Sequence, residues 1–173
     1  GGRGKTTTAI ALAQRGWRLI ADDRCFLEMD TPYPIIHGLY RTLMLHQDSV
    51  CRLGLSAGSQ FAVSHEGKVV QHWPDGFGQP PAAPIHGVIA VGRGTEPPYG
   101  LRRLRPREVL RVCQEALGPC VQALGPSALI VRTMSRLSGT VPFWSLSLGW
   151  DLDRLENRLS DLLERSVVTV GCR

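Results

Sequence analysis

The first residues alternate between short apolar segments and abrupt polar ends. Residues 4–15 place small apolar side chains on one side of a predicted helix, and Gly16 follows where a helix end favours positive φ. The apolar run 17–21 has the length of a strand and stops at Asp22 and Asp23. A helix followed by a strand is the start typical of an α/β domain.

Both kinds of pattern recur further along the chain. Apolar or alternating runs predict strands at 24–29, 39–45, 60–64, 68–72, 85–91 and 142–148. Helical spacing predicts helices at 47–53, 107–117, 119–136 and 151–165, with 92–106 as a loop. Five leucines of the last helix fall on one face and are predicted to be core contacts: Leu152, Leu155, Leu159, Leu162 and Leu163. We expect one α/β domain over 1–173, a mixed sheet with flanking helices, because no linker is long enough to divide it.

Composition narrows the class of protein. The chain has 43% hydrophobic and 20% charged residues, which is ordinary for a globular domain. Its net charge of +5 arises from 20 Lys and Arg against 15 Asp and Glu. Arginines cluster at 102–107, but no aromatic residue is interleaved with them. We interpret this cluster as a solvated loop leading into a helix and expect no nucleic-acid partner.

The five cysteines are odd in number and form no CxxC pair. This favours free thiols in a reducing cytoplasm over a disulfide framework or a zinc site. No apolar run reaches the roughly 18 residues of a membrane span, so no membrane partner is expected.

The strongest chemical signal is the opening segment Gly2-Arg3-Gly4-Lys5-Thr6-Thr7, which matches the end of a G-x-x-x-x-G-K-[ST] phosphate loop. Glycines let backbone N–H groups face one anion, and the following helix directs its positive end toward the same point. The lysine ammonium adds a charge for the β- and γ-phosphates, and the threonine hydroxyl is a Mg²⁺ ligand. A Gly-rich helix start is the plain structural alternative.

Asp22 and Asp23 supply the second element of such a site. Walker-type sites need an acid at the end of a neighbouring strand to hold the metal or its water. Taken alone, the pair is equally well explained as an acidic turn after a strand, and the upstream Gly-Lys-Thr favours the functional interpretation. The chain opens inside the phosphate-loop motif with Gly1 and not Met, so we expect a fragment that lacks the first motif glycine.

The run GKTTTAIALAQRGWRLIADDRCFLE resembles the C-terminal kinase domain of HPr kinase/phosphorylase and its small relatives. Those proteins join a GKS or GKT loop and a short helix to a Gly-aromatic-x-Leu-hydrophobic-x-Asp-Asp strand. The resemblance is strong over about residues 2–28, loose to about 54, and faint beyond. It implies a P-loop kinase fold related to that of phosphoenolpyruvate carboxykinase. Relatives include a protein-serine kinase and kinases of lasso-peptide biosynthesis.

Position by position, the resemblance implies that Gly4, Lys5 and Thr6, within the loop 2–7, bind the phosphates of ATP and Mg²⁺. It also implies that one of Asp22 and Asp23 accepts the proton of the attacking hydroxyl while its neighbour helps Thr6 hold the metal; we assign that ligand role to Asp23. The acidic signature of true HPr kinases is not evident, and the family's catalytic histidine lies upstream of the loop. We therefore expect an ATP-dependent kinase acting on a hydroxyl of another peptide, protein or small molecule, and a homo-oligomer as in the family.

Two other functions remain open at this stage. One is a non-catalytic nucleotide-binding regulatory module of the same fold. The other is an NTPase that drives a partner, although neither a water-positioning residue nor an arginine finger is identifiable.

The remaining side chains of interest have plain explanations. Arg41 could reach a phosphate, and His37 or His46 could relay a proton, but exposed strand residues are the commoner case. Arg132 and Arg136 suit a helix end, and His86 is expected to be a satisfied core histidine.

Overall fold

The computed structural model describes residues 4–22, 24–39, 42–55, 62–64, 67–72, 82–92, 100–124, 128–148 and 152–170. Its helices are α1 (Lys5–Ala13), α2 (Gln47–Arg52), α3 (Pro106–Leu124), α4 (Ala128–Thr140) and α5 (Leu152–Val170). Its strands are β1 (Cys25–Glu28), β2 (Ile35–Gly38), β3 (Thr42–Leu45), β4 (Ala62–Val63), β5 (Val69–His72), β6 (Ala82–Pro84), β7 (Val88–Gly92), β8 (Leu101–Arg103) and β9 (Phe143–Ser147).

The described strands form three small sheets and not the one mixed sheet expected. Their orders are β1-β2-β6, β3-β5-β4 and β7-β9-β8. The third sheet combines a parallel pair, β7 with β9, with the antiparallel pair β8 with β9. The fold is therefore mixed α/β, with short antiparallel additions predominating.

The chain divides into two compact units. The first comprises Gly1–Glu28 and Ile35–Ala83, and the second comprises Met29–Pro34 and Pro84–Arg173. The first unit contains the phosphate-loop motif, and the second contains α3, α4 and α5.

Glycines with positive φ lie on both sides of helix α1, whose C-cap is Gln14. Gly4 is the N-cap with φ 84° and ψ 9°, and Gly16 has φ 91°. Both values lie in the left-handed region that glycine adopts without steric cost. The turn after the helix is closed by the N–H of Gly16, which donates to the carbonyl of Ala13.

The core of the first unit forms where α1 packs against β3. Ile10 and Leu43 are fully buried, and Leu45 is 2% exposed. Burying an aliphatic side chain of this size contributes about 1.5–3 kcal/mol, so these contacts attach the helix to the sheet. Val50 of α2 and Val69 of β5 extend the same cluster.

The segment 17–21 is not the strand that its apolar run predicts. It alternates in burial, with Arg18 exposed and Leu19 buried, but it joins no hydrogen-bonded ladder. Two close contacts explain its path. The carbonyl oxygen of Ile20 lies directly against Gly38. The carboxylate of Asp22 accepts the hydrogen bond of the Met44 N–H, which would otherwise pair with a neighbouring strand.

Other predictions for the first unit hold in part. The strand at 24–29, the helical turn at 47–53 and the hairpin of β4 with β5 are confirmed. The strand predicted at 39–45 is confirmed only over Thr42–Leu45. Strand β2 was missed, because its sequence Ile-Ile-His-Gly shows too short an apolar run to stand out.

In the second unit, the late strand at 142–148 is confirmed as β9, and the predicted strand at 85–91 is found as Val88–Gly92. The break predicted near residue 118 is wrong, since α3 continues to Leu124 despite the sequence Gly-Pro. Burial of an apolar helix face can outweigh the local cost of proline. The predicted loop 92–106 contains β8, whose residues pair with β9.

Helix α5 confirms the closing amphipathic helix and corrects its apolar face. Leu155 and Leu159 are nearly fully buried, at 1% and 4% exposure. Leu163 is 40% exposed and is therefore not a core contact. The side chain of Leu152 lies outside the described residues. The buried face is shorter than the leucine spacing suggests, because helical spacing extends beyond the part of a helix that neighbouring elements cover.

Glu108 organises the start of α3. Its carboxylate oxygens accept two hydrogen bonds of 2.9 Å from the guanidinium of Arg102, and one from the backbone N–H of Arg105 at 2.8 Å. These bonds, with that of Arg102 first, lower the pKa of Glu108 from 4.5 to about 2. The fork joins β8 to α3.

No helix in the described stretches is long and apolar enough to cross a membrane. Cys25, Cys51 and Cys113 carry free thiols, as predicted. Burial raises the pKa of the Cys25 and Cys113 thiols. Cys172 and the side chain of Cys120 lie outside the described residues.

Replacement of Gly38 by alanine should destabilise the first unit. A Cβ at this position would overlap the carbonyl oxygen of Ile20, a backbone atom that cannot rotate away. We expect a loss of about 1–3 kcal/mol in unfolding free energy, measured as a lower urea midpoint. The control is Gly139→Ala in α4, where an added Cβ meets no atom within 4 Å. If both variants unfold at the same urea concentration, the close approach at Gly38 is contradicted.

The Glu108 interaction should stabilise the protein in a pH-dependent manner. Because folding lowers the pKa of Glu108, its contribution is complete above the ordinary value of 4.5 and is lost as pH falls through about 2. The urea midpoint of Glu108→Gln should therefore lie below that of the unaltered protein at pH 6, and the gap should narrow steadily below pH 4.5. The effect should be small, because the side chain is 38% exposed. A gap that stays constant down to pH 3 would contradict this assignment.

Candidate functional site

The N-terminus of α1 presents a backbone arranged to bind an anion. Gly4 precedes the helix in a left-handed conformation, and no side chain caps the first turn. The first N–H groups of an α-helix have no partner within the helix, and they lie at the positive end of its dipole. No acidic residue lies in this first turn to compete with a ligand. The arrangement matches the requirement of a phosphate loop.

Lys5 is the first residue of α1, and its side chain is exposed. Among the residues that the structure describes, it forms no ion pair. Its ammonium group is therefore available to a ligand bound at the start of the helix.

Thr6 and Asp22 are in direct contact. The Thr6 hydroxyl donates to Oδ1 of Asp22 at 2.7 Å, across a sequence separation of 16 residues. The backbone N–H of Met44 donates to Oδ2 at 2.9 Å. Because β3 is the edge strand of its sheet, this amide is satisfied by a side chain instead of a neighbouring strand. One carboxylate thus fixes the helix start relative to the sheet.

A second set of hydrogen bonds holds α1 against α2. The Thr7 hydroxyl donates to the Ser49 hydroxyl at 3.1 Å, and the Gln14 side-chain amide donates to the Leu53 carbonyl at 2.8 Å. These contacts lie at opposite ends of the helix. They limit its rotation and so keep Thr6 directed toward Asp22.

The donor set at Thr6 and Asp22 fits a hard divalent cation. Mg²⁺ prefers oxygen ligands, retains several waters, and is usually held by one or two protein oxygens together with substrate phosphates. A hydroxyl and a carboxylate oxygen 2.7 Å apart meet that requirement. No group of three or more His, Cys, Asp and Glu suited to a metal exists among the described residues. Thr6 and Asp22 alone would leave most positions around a cation to other ligands, such as water or phosphate oxygens.

Several residues predicted for the site lie outside the described residues. They are Gly2, Arg3, Asp23 and Arg41. Of the predicted residues that are described, Gly4, Lys5, Thr6 and Thr7 lie together at the start of α1, and Asp22 contacts Thr6.

The histidines fall into different environments. His37 Nε2 lies 2.9 Å from Glu28 Oε2, and its ring contacts the exposed ring of Phe26 with centroids 5.9 Å apart. His46 is exposed and is the N-cap of α2. The core position expected for His86 is wrong: the residue is exposed, because it precedes β7 instead of lying within it.

Arg132 and Arg136 belong to the second unit. Arg132 is exposed on α4, and Arg136 of the same helix lies 3.3 Å from Asp30 in an exposed ion pair. Neither arginine lies in the last turn of α4, so the predicted placement at a helix end is wrong.

Sequence reasoning missed two partners in the site, the Met44 amide and the Ser49 hydroxyl. A backbone N–H has no residue-type signature, so Met44 could be found only from the edge position of β3. Ser49 lies 42 residues from Thr7, and no motif joins them.

Comparison with protein-family models, with curated proteins and with solved structures finds no match in any of the three. The chemical interpretation of the site rests on the motif and on the contacts described above.

Two substitutions of Asp22 should separate its hydrogen bonds from its charge. Asp22→Asn keeps an acceptor for the Met44 amide and a donor for the Thr6 oxygen, so we expect nearly unchanged stability. Asp22→Ala removes both partners and should cost about 1–3 kcal/mol in unfolding free energy. Urea unfolding and amide hydrogen exchange at Met44 measure the two effects. Equal stability of the alanine variant and the unaltered protein would rule out this bridging role.

Proposed function

We propose that the first unit binds Mg²⁺-ATP at the start of α1 and that the protein transfers the γ-phosphoryl group to a hydroxyl of a peptide, protein or small molecule. The proposed fold is that of a P-loop kinase of the HPr kinase type. The observation that carries the proposal is the 2.7 Å contact between Thr6 and Asp22. It joins the motif threonine to the acid that a Walker-type site requires.

The phosphate-binding role is supported by the backbone and charge of the loop. Gly4 adopts the left-handed conformation that turns the chain into α1, and the exposed Lys5 follows it. The free N–H groups would orient the phosphate oxygens, and the lysine ammonium would neutralise charge on the group being transferred. Thr7 would support the loop indirectly, since its hydroxyl contacts Ser49.

Thr6 would supply the protein oxygen that holds Mg²⁺, and Asp22 would orient that hydroxyl. When bound, the cation supplies neutralisation of the developing phosphate charge. We place Asp22 and not Asp23 beside the cation, because both oxygens of Asp22 already accept hydrogen bonds from Thr6 and Met44. A carboxylate held in this way is suited to positioning and not to proton abstraction.

The proposal assigns the proton-accepting role to Asp23. The oxygen of the acceptor hydroxyl would attack the γ-phosphorus, the bond from that phosphorus to the bridging oxygen would break, and ADP would leave. The hydroxyl proton would pass to the Asp23 carboxylate. Positioning and charge neutralisation dominate such a transfer, so this base needs no unusual pKa.

A non-catalytic nucleotide-binding module is the second candidate. The hydrogen bonds that Asp22 accepts favour this candidate, because they leave only Asp23 of the two aspartates to accept a proton. Such a module needs the helix start, Lys5 and the Thr6–Asp22 pair, but no base.

Nucleotide binding should depend on Lys5 specifically. Titration of the full-length protein with a fluorescent ATP analogue and Mg²⁺ should give an affinity that falls about 10–100-fold in Lys5→Ala, since a charge-assisted contact is worth about 1.5–3 kcal/mol. Lys68→Ala is the matched control, because Lys5 and Lys68 are the only lysines of the chain. Equal affinity in Lys5→Ala and the unaltered protein would exclude this nucleotide site.

Turnover then distinguishes the two candidates. ADP release would be measured with an extract containing acceptor molecules, for the unaltered protein and for Asp23→Asn. Acceptor-stimulated ADP release that is lost in Asp23→Asn, with nucleotide affinity retained, would support the kinase. Lys5-dependent binding with no turnover in any extract would instead support the regulatory module.

A further inference from the structure

An arginine cluster extends from β8 to the start of α3, the helix end where positive charge is least favourable. We define the cluster as Arg102, Arg105, Arg107 and Arg111. Arg105 directly precedes Pro106, the first residue of α3, and Arg107 and Arg111 lie four residues apart along it. The positive end of the helix dipole disfavours cations, and like charges at this spacing repel each other. The bonds to Glu108 account for Arg102, whereas no side-chain hydrogen bond or ion pair among the described residues accounts for Arg107 and Arg111.

The cluster is exposed and only partly neutralised. Arg105, Arg107 and Arg111 are exposed, and Arg102 has 43% of its side chain exposed. In the described part of the chain, Arg102 forms an ion pair with Glu108. Glu115 lies one helical turn beyond Arg111. Residues 100–116 contain five arginines and two glutamates, so a net positive charge remains.

Glu108 shows which chemistry the cluster accepts. Arg102 holds the Glu108 carboxylate through two parallel N–H···O bonds of 2.9 Å. The backbone N–H of Arg105 donates to the same carboxylate at 2.8 Å. A planar guanidinium and a carboxylate match in this bidentate geometry. The bonds from Glu108 also fix the β8–α3 junction, so the remaining guanidinium groups extend from a rigid base.

We propose that this cluster is a docking surface for an acidic peptide segment of a partner protein. Its exposed guanidinium groups carry a net positive charge, and one of them already binds a carboxylate in the bidentate geometry, which suits a short run of Asp and Glu. A nucleic-acid backbone instead presents phosphates along an extended line. Residues 100–116 contain no aromatic side chain, so the surface lacks the stacking groups that bind single-stranded bases. The proposal concerns the second unit and does not depend on phosphoryl transfer.

The test is a binding assay without nucleotide. Fluorescence anisotropy at low salt would compare a labelled peptide rich in glutamate with the same peptide carrying glutamine in place of glutamate. A labelled DNA duplex and a single-stranded RNA of similar charge serve as competing ligands. We expect the acidic peptide to bind most tightly, the glutamine peptide not to bind, and the affinity to fall as salt rises.

A matched pair of variants locates the surface. Arg107→Gln with Arg111→Gln removes two charges from α3 and leaves the fork between Arg102 and Glu108 intact. Arg154→Gln with Arg158→Gln removes the same charge at the same spacing from exposed positions of α5. We expect the α3 variant to weaken peptide binding by about tenfold or more, and the α5 variant by less than about twofold. Circular dichroism checks that both fold.

Three results would overturn the proposal. Equal losses in the two variants would mean that net charge alone attracts the peptide. Tighter binding of the duplex or of the RNA, lost in the α3 variant, would make the surface a nucleic-acid site. No binding of the acidic peptide at low salt would remove the docking role altogether.

Discussion

One carboxylate connects the parts of the first unit. Asp22 receives the hydroxyl of Thr6 from the start of a helix and the amide of Met44 from the edge of a sheet. The Met44 amide is not paired with a neighbouring strand, and the Asp22 side chain accepts hydrogen bonds from both donors. The hydrophobic contact of Ile10 with the β3 side of the core brings the helix to the sheet, and Asp22 determines its position along the strand.

The two helix starts analysed above solve the same electrostatic problem in different ways. Helix α1 follows a glycine, has no acid in its first turn, and leaves Lys5 exposed at its positive end. Helix α3 has Glu108 in its first turn, and that carboxylate accepts hydrogen bonds from the Arg102 guanidinium and the Arg105 backbone. The first arrangement is suited to a compact, highly charged anion that brings its own cation. The second is suited to carboxylates that approach from solvent.

Sequence reasoning was most successful where structure depends on neighbouring residues. Helix α1, the left-handed Gly16, the hairpin of β4 and β5 and the late strand β9 each follow from local patterns. Motif and spacing predict that Thr6 shares a site with the Asp22–Asp23 pair, but the sequence does not show that Asp22 is the residue in contact with Thr6. The segment 17–21 was predicted as a strand because an apolar run reveals burial, but its pairing depends on Gly38 and Met44, which are distant in sequence. The contact of the Ser49 hydroxyl with Thr7 could not be predicted for the same reason, because the two residues are distant in sequence.

The tight turn at Gly16 also has a kinetic consequence. It brings the chain back after α1, so Thr6 and Asp22 close a loop of only 16 residues, whereas the pairing of β3 with β5 joins Thr42 to His72. Loop-closure entropy rises with the logarithm of loop length, so the shorter loop closes at the lower entropic cost. The contact between helix and acid is therefore available early in folding, and β5 completes the core around a site whose first half already exists.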